Sequence, residues 1–82
     1  MAKRKYIYYG EIERFGYNLQ AFGLTEKEVR DAITEKYIEV FKDENDGEHP
    51  TESFMYNDRT YMDVFLDELY IEKRELNKVY WN

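Results

Sequence analysis

The 82-residue chain has no cysteine, one histidine, one proline and four glycines. Without cysteine there is no disulfide framework, the usual staple of small secreted domains, and the composition suits a reducing cytoplasm. With His49 as the one imidazole and no thiolate, a structural zinc site lacks ligands. Gly10, Gly16, Gly23 and Gly47 are too scattered for a phosphate-cradling loop or a dinucleotide fingerprint. Gly10, Gly16 and Gly23 suit a strand bulge, a turn and a helix start. Placing Gly47 sixth in a calcium loop puts Lys42 first and Ser53 twelfth, which excludes an EF-hand. His49 lies between Glu48 and Pro50 with no partner to make it a general base. No apolar run reaches the roughly 18 residues of a membrane span. The basic start, Met1 to Lys5, precedes only Tyr6-Ile7-Tyr8-Tyr9 before Gly10 and Glu11, too short for the core of a signal peptide. The expectation is a cytoplasmic protein outside the membrane, without metal or cofactor, and not an enzyme.

What the chain does have is aromatic surface: nine tyrosines, five phenylalanines and one tryptophan. Such side chains bury a large area with few rotatable bonds, so a small core can be built from them. At this length the chain forms a single domain over residues 1–82. Residues 4–14 read as a strand, with Ile7, Tyr9 and Ile12 at inward or rim positions. Phe15-Gly16 offers a turn, and alternation resumes over 17–23, so the two runs form a hairpin. Thr25-Glu26-Lys27-Glu28 is a capping box, in which Thr25 accepts from the Glu28 N–H and Glu28 reaches back to the Thr25 N–H, and Leu24 with Val29 forms a staple. Val29, Ile33, Tyr37, Val40 and Phe41 follow at helical spacing, giving a helix over 26–42. Residues 43–50 read as a polar loop. Asp58 is the cap candidate for a short helix over 59–68 carrying Tyr61, Met62, Phe65, Leu66 and Leu69. From Tyr70 to Leu76 the sequence also allows the helix to continue; Tyr70, Ile71, Val79, Tyr80 and Trp81 favour a strand over 70–80, bent at Asn77-Lys78. The predicted fold is α+β: a small antiparallel sheet, made of the N-terminal hairpin and a C-terminal strand, packed on one long helix, with a second short helix.

Charge is distributed unevenly. Residues 1–42 carry +1, residues 43–72 carry −9 and residues 73–82 carry +2, which together give the net −6. A concentrated acidic face repels nucleic acid and anionic lipid and attracts basic protein surfaces. Lys3-Arg4-Lys5 beside Tyr6, Tyr8 and Tyr9 is the one feature suited to single-stranded nucleic acid. The acidic segment outweighs it, so the partner expected is a protein with a basic surface, with no direct nucleic-acid contact. The candidate partner-binding residues are Asp43, Glu44, Asp46, Glu48, Glu52, Asp58, Asp63, Asp67 and Glu68, with Met55, Tyr56 and Tyr61 as apolar anchors among them. Asp63 and Asp67, four residues apart on a helix, would form one ridge.

DNA presents a dense row of negative charges, and carboxylates spaced along helices and loops can imitate it. In size, charge distribution and aromatic content, residues 43–72 resemble the small acidic phage inhibitors of host defence, the anti-CRISPR and anti-restriction DNA mimics. The resemblance is one of class and carries no motif. It implies an inhibitor that blocks the nucleic-acid-binding surface of a defence nuclease. An antitoxin-like or regulatory adaptor that binds a basic protein, or an accessory phage domain, remains an alternative.

The capping box generates the first test. Thr25→Ala should cost about 1 kcal/mol, in the ordinary range for an N-cap, and lower the thermal midpoint by several degrees. An unchanged melting curve would mean that Thr25 does not cap the helix.

Overall fold

The computed structural model describes residues 6–76. The predicted strand positions 77–80 with their bend, the terminal Trp81 and the basic Lys3-Arg4-Lys5 lie outside the described residues. In chain order the elements are β1 (Tyr6–Arg14), β2 (Tyr17–Gly23), α1 (Glu26–Glu44), β3 (Phe54–Tyr56), β4 (Arg59–Thr60), α2 (Tyr61–Glu68) and β5 (Tyr70–Glu75). This is the α+β architecture expected: a three-stranded antiparallel sheet, one long helix and one short one. No helix is long and apolar enough to cross a membrane among the described residues.

The sheet order is β2-β1-β5. β1 and β2 close across Phe15-Gly16, with φ of 54° and 78°, and Arg14 pairs with Tyr17. Two positive φ values in a two-residue loop match the right-handed strand twist, and glycine at the second position adopts one of them without strain. β5 returns along the other side of β1, with Glu11 opposite Tyr70 and Tyr6 opposite Glu75.

Because side chains alternate along a strand, β1 has two distinct faces. Tyr8, Gly10 and Ile12 lie under α1 with Leu19, Ala21 and Ile71. Ile7 and Tyr9 project from the opposite face. Ile7, Tyr9 and Ile12 thus sit at inward or rim positions as expected, Ile12 under the helix and Ile7 and Tyr9 on the other face. Tyr9 is nonetheless buried, because Phe22 packs against it at 5.0 Å and the Arg74 guanidinium sits 4.9 Å over its ring.

Gly10 is not at a bulge; its register with both neighbouring strands is regular. It serves close approach instead. A Cβ there would lie 2.5 Å from Val29 Cγ1 and 2.9 Å from Ile33 Cδ1, so the missing side chain lets α1 settle onto the sheet.

α1 starts where the sequence places it. Thr25 Oγ1 accepts from the Glu28 N–H at 3.1 Å. The reciprocal bond is displaced by one residue: the Glu28 carboxylate accepts from the Leu24 N–H at 2.9 Å, and Leu24 itself stays 49% exposed. Val29, Ile33, Tyr37 and Phe41 form the buried stripe, while Val40 is only half-buried. The helix runs two residues past the predicted end. The Gly47 N–H donates to the Lys42 carbonyl at 2.7 Å and Asp46 is left-handed at φ 54°, the arrangement of a Schellman motif. The Asn45 amide also donates to the Phe41 carbonyl at 2.9 Å. Asp43 and Glu44 thus belong to the last turn of α1 and not to a loop.

The core comprises Ile12, Val29, Ile33, Tyr37, Phe41 and Phe65. Tyr37 stacks on Phe65 at 4.1 Å and 15° and touches Phe15 and Phe41. Its hydroxyl donates to the Tyr61 carbonyl at 3.2 Å, which satisfies a polar atom that burial would otherwise strand. Burial pushes the Tyr37 pKa up, so the hydroxyl stays a donor.

Gly10→Ala should destabilise the fold by about 1–3 kcal/mol through overpacking against Val29 and Ile33, read as a lowered urea midpoint. A neutral result would show that α1 can lift off the sheet without loss.

Candidate protein-binding surface

The segment between the helices is held by short-range contacts. His49 Nδ1 accepts from the Thr51 N–H at 3.2 Å, and the Glu52 N–H donates to the His49 carbonyl at 2.9 Å. Pro50 is buried, and its carbonyl accepts from the Met62 N–H at 3.3 Å. The single histidine and the single proline both help to fasten this loop.

From it rises a small hairpin that the sequence reading missed. Phe54 pairs with Thr60 and Tyr56 with Arg59, across a two-residue turn in which Asn57 and Asp58 have φ of 53° and 62°. Asn and Asp tolerate the left-handed region better than other non-glycine residues, so Asn57-Asp58 was the available signal. Asp58 is therefore a turn residue and not the helix cap. Thr60 caps α2: its Oγ1 accepts from the Asp63 N–H and Asp63 Oδ2 accepts from the Thr60 N–H, each at 3.1 Å.

The hairpin exposes a run of large apolar side chains. Phe54 is 68% exposed, Met55 46% and Tyr56 76%. Met55 also borders a depression of about 310 Å³ lined by Arg14, Phe15, Tyr37, Tyr61, Val64 and Glu68. Phe54 was not anticipated as an anchor, although its position beside Met55 and Tyr56 was visible. Tyr61, expected among the anchors, is half-buried with its ring 5.1 Å from Phe41, and joins the end of α1 to the start of α2.

The ten carboxylates of residues 43–72 divide into two groups. Four have internal partners. Asp63 belongs to the capping box, Asp67 pairs with Arg59, Glu68 pairs with Arg14, and Glu72 pairs with Arg74. Glu72 also accepts the Tyr70 hydroxyl at 2.7 Å, and that bond, followed by the Arg74 guanidinium, lowers its pKa. The other six, Asp43, Glu44, Asp46, Glu48, Glu52 and Asp58, make no side-chain hydrogen bond or ion pair with another described residue. They follow the chain from the end of α1 to the β3–β4 turn. A shallow depression beside Asp43 and Asp46 is lined also by Glu35, Ile38, Glu39 and Lys42.

Two of the six sit where helix electrostatics oppose them. The C-terminal end of a helix carries partial negative charge, yet Asp43 and Glu44 occupy the last turn of α1, where Lys42 is the only basic residue. Among the described residues no group of three or more His, Asp or Glu side chains is placed to hold a metal ion. Comparison with protein-family models, curated proteins and solved structures finds no match.

The capping box predicts a pH signature. The Thr60 backbone N–H, then the Thr60 hydroxyl, hold the Asp63 carboxyl below the usual aspartate range. A lowered folded-state pKa contributes stability above the unfolded-state value, and that stability is lost as pH falls through the folded one. The stability gap between wild type and Asp63→Asn should therefore be open at neutral pH and close on acidification through that window. Urea midpoints measured across the range test this; a gap independent of pH would remove Asp63 from the cap.

Proposed function

We propose that this chain is a non-enzymatic binding protein that inhibits its target by occupying a basic surface. The observation that carries the reading is the succession along the chain of six exposed carboxylates, without a partner among the described residues, and the exposed Phe54, Met55 and Tyr56. Carboxylates steer encounter with a basic partner and set register. Aromatic side chains and methionine supply the desolvated centre that interface affinity depends on. The unfavourable placement of Asp43 and Glu44 supports a role beyond folding, since stability alone would favour lysine or arginine there.

In its finer form the reading is DNA mimicry: the acidic surface takes the place of duplex phosphates on a nucleic-acid-binding protein such as a host defence nuclease. The exposed apolar triplet favours a second reading, an adaptor or antitoxin-like protein that docks through the β3–β4 hairpin without excluding nucleic acid.

The partner captured by the tagged chain from its native host provides the test. Binding should weaken steeply as salt rises, because exposed charges are screened. Asp43→Asn with Glu44→Gln should weaken binding while slightly raising the denaturation midpoint, a combination that a purely structural role does not produce. Asp63→Lys and Asp67→Lys are poor probes, since they break the cap and the Arg59 pair. Excess duplex DNA should compete with the chain for the mimic's target. Simultaneous binding without mutual weakening would reject mimicry in favour of the adaptor, and salt-independent binding indifferent to Asp43 and Glu44 would reject the acidic surface altogether.

A further inference from the structure

The two outer strands of the main sheet are protected very differently. β5, at one edge, reads Tyr70-Ile71-Glu72-Lys73-Arg74-Glu75, with four charged side chains in six. Such charge is a standard guard against edge-to-edge pairing. β2, at the other edge, reads Tyr17-Asn18-Leu19-Gln20-Ala21-Phe22-Gly23. It has no charged residue, no proline and no bulge in its register with β1. In a chain that is 37% charged, a seven-residue edge without a single charge stands apart.

The hydrogen-bonding pattern shows which groups this edge offers. Arg14 and Tyr17 close a two-residue loop, so they form a hydrogen-bonded pair, and such pairs alternate along the ladder. The backbone groups of Tyr17, Leu19, Ala21 and Gly23 therefore face β1, and those of Asn18, Gln20 and Phe22 face outward. No described strand pairs with them. The side chains of Asn18, Gln20 and Phe22 are exposed as well, Phe22 at 63%.

We infer that β2 pairs antiparallel with β2 of a second copy, about a two-fold axis at Gln20, joining two three-stranded sheets into one of six strands. The strand is self-complementary in that register. Gln20 meets Gln20 of the second copy, and each amide has both donors and an acceptor for the other. Asn18 falls opposite Phe22 of the second copy, and on the α1 side Leu19 falls opposite Ala21, a large residue against a small one. Charge selects the occupant. Two copies at net −6 repel, and an uncharged edge is where they approach at least cost, whereas a basic foreign strand would find no complementary charge on β2. This inference does not depend on the acidic-surface reading, and salt separates the two: target binding weakens with salt, while this pairing persists.

Sedimentation of the intact chain across micromolar to millimolar concentrations tests it. The expected result is a mass of twice the 10.1 kDa chain, falling two-fold on dilution. Gln20→Lys sets two ammonium groups face to face at the axis and should remain monomeric with an unchanged circular-dichroism spectrum. In wild type, the Asn18, Gln20 and Phe22 amides should exchange slowly in the dimer and rapidly on dilution, a readout that needs no variant. A monomer throughout the range, or a Gln20→Lys dimer, overturns the proposal. So does protection of those three amides only when another protein binds, which would make the edge a site for a foreign strand.

Discussion

The stack of Tyr37 on Phe65 is the contact on which the candidate surface depends. α2 has eight residues and one fully buried side chain, Phe65, so it cannot persist as an isolated helix. It holds because Phe65 lies flat against Tyr37, and because the Tyr37 hydroxyl fastens the Tyr61 carbonyl at the start of α2. β3 and β4 inherit this anchorage. With two residue pairs between them they could not stand alone in water. They are fixed because Thr60 ends β4 and caps α2 at the same time. The position of Phe54, Met55 and Tyr56 thus traces back to one aromatic ring in the middle of α1.

The acidic segment is two populations with different work. Asp63, Asp67, Glu68 and Glu72 are spent on a cap and on arginines from β1, β4 and β5. Exposed ion pairs contribute little to stability each, but these pairs lower the charge presented by α2 and the sheet. Asp43, Glu44, Asp46, Glu48, Glu52 and Asp58 are exposed and have no partner among the described residues, and they follow the chain from the end of α1 to the β3–β4 turn. A charge count along the sequence sees −9 in one block; only the fold separates the neutralised carboxylates from the others.

Most of the main architecture was legible in the sequence because its signals are local. A capping box, an apolar stripe at helical spacing and two alternating runs around Phe15-Gly16 each specify an element within about one helical turn or hairpin. At Tyr70–Glu75 the β-forming residues favoured the strand that forms, but the local pattern allowed the helix to continue as well. What was missed rests on weaker or competing signals. α1 extends through Asp43 and Glu44 because the Asn45-Asp46-Gly47 chain reversal ends it, although acidic residues at a helix C-terminus argue against extension. The β3–β4 hairpin is too short for alternation to register, and its Asn57-Asp58 turn lacks the glycine that marks stronger examples. The cap moved from Asp58 to Thr60 because the turn had already claimed Asp58. Of the candidate surface, all but Phe54 was named in advance, since composition shows the acids; that Asp67 and Glu68 are paired depends on arginines 8 and 54 residues away, which no local pattern encodes.

The run of α1 ties the two proposed surfaces together. Val29 lies over Gly10 in mid-sheet, while Tyr37 and Phe41 meet Phe15 at the β1–β2 turn. The helix therefore points its acidic C-terminal end past the turn, away from the middle of β2. In an antiparallel pairing of two β2 strands the two turns lie at opposite ends of the joined sheet. Each copy would then carry its carboxylates and its apolar hairpin outward, separated by the length of the paired strands. Like charges would be far apart instead of facing one another, and both target-binding surfaces would stay open. A dimer of this geometry could engage two sites on one target only if the sites matched that separation, because an intramolecular second contact gains affinity only when geometry permits it. The charge-free edge and the charge-dense end are in this sense complementary: the first sets where identical chains can meet, and the second must be kept away from that meeting.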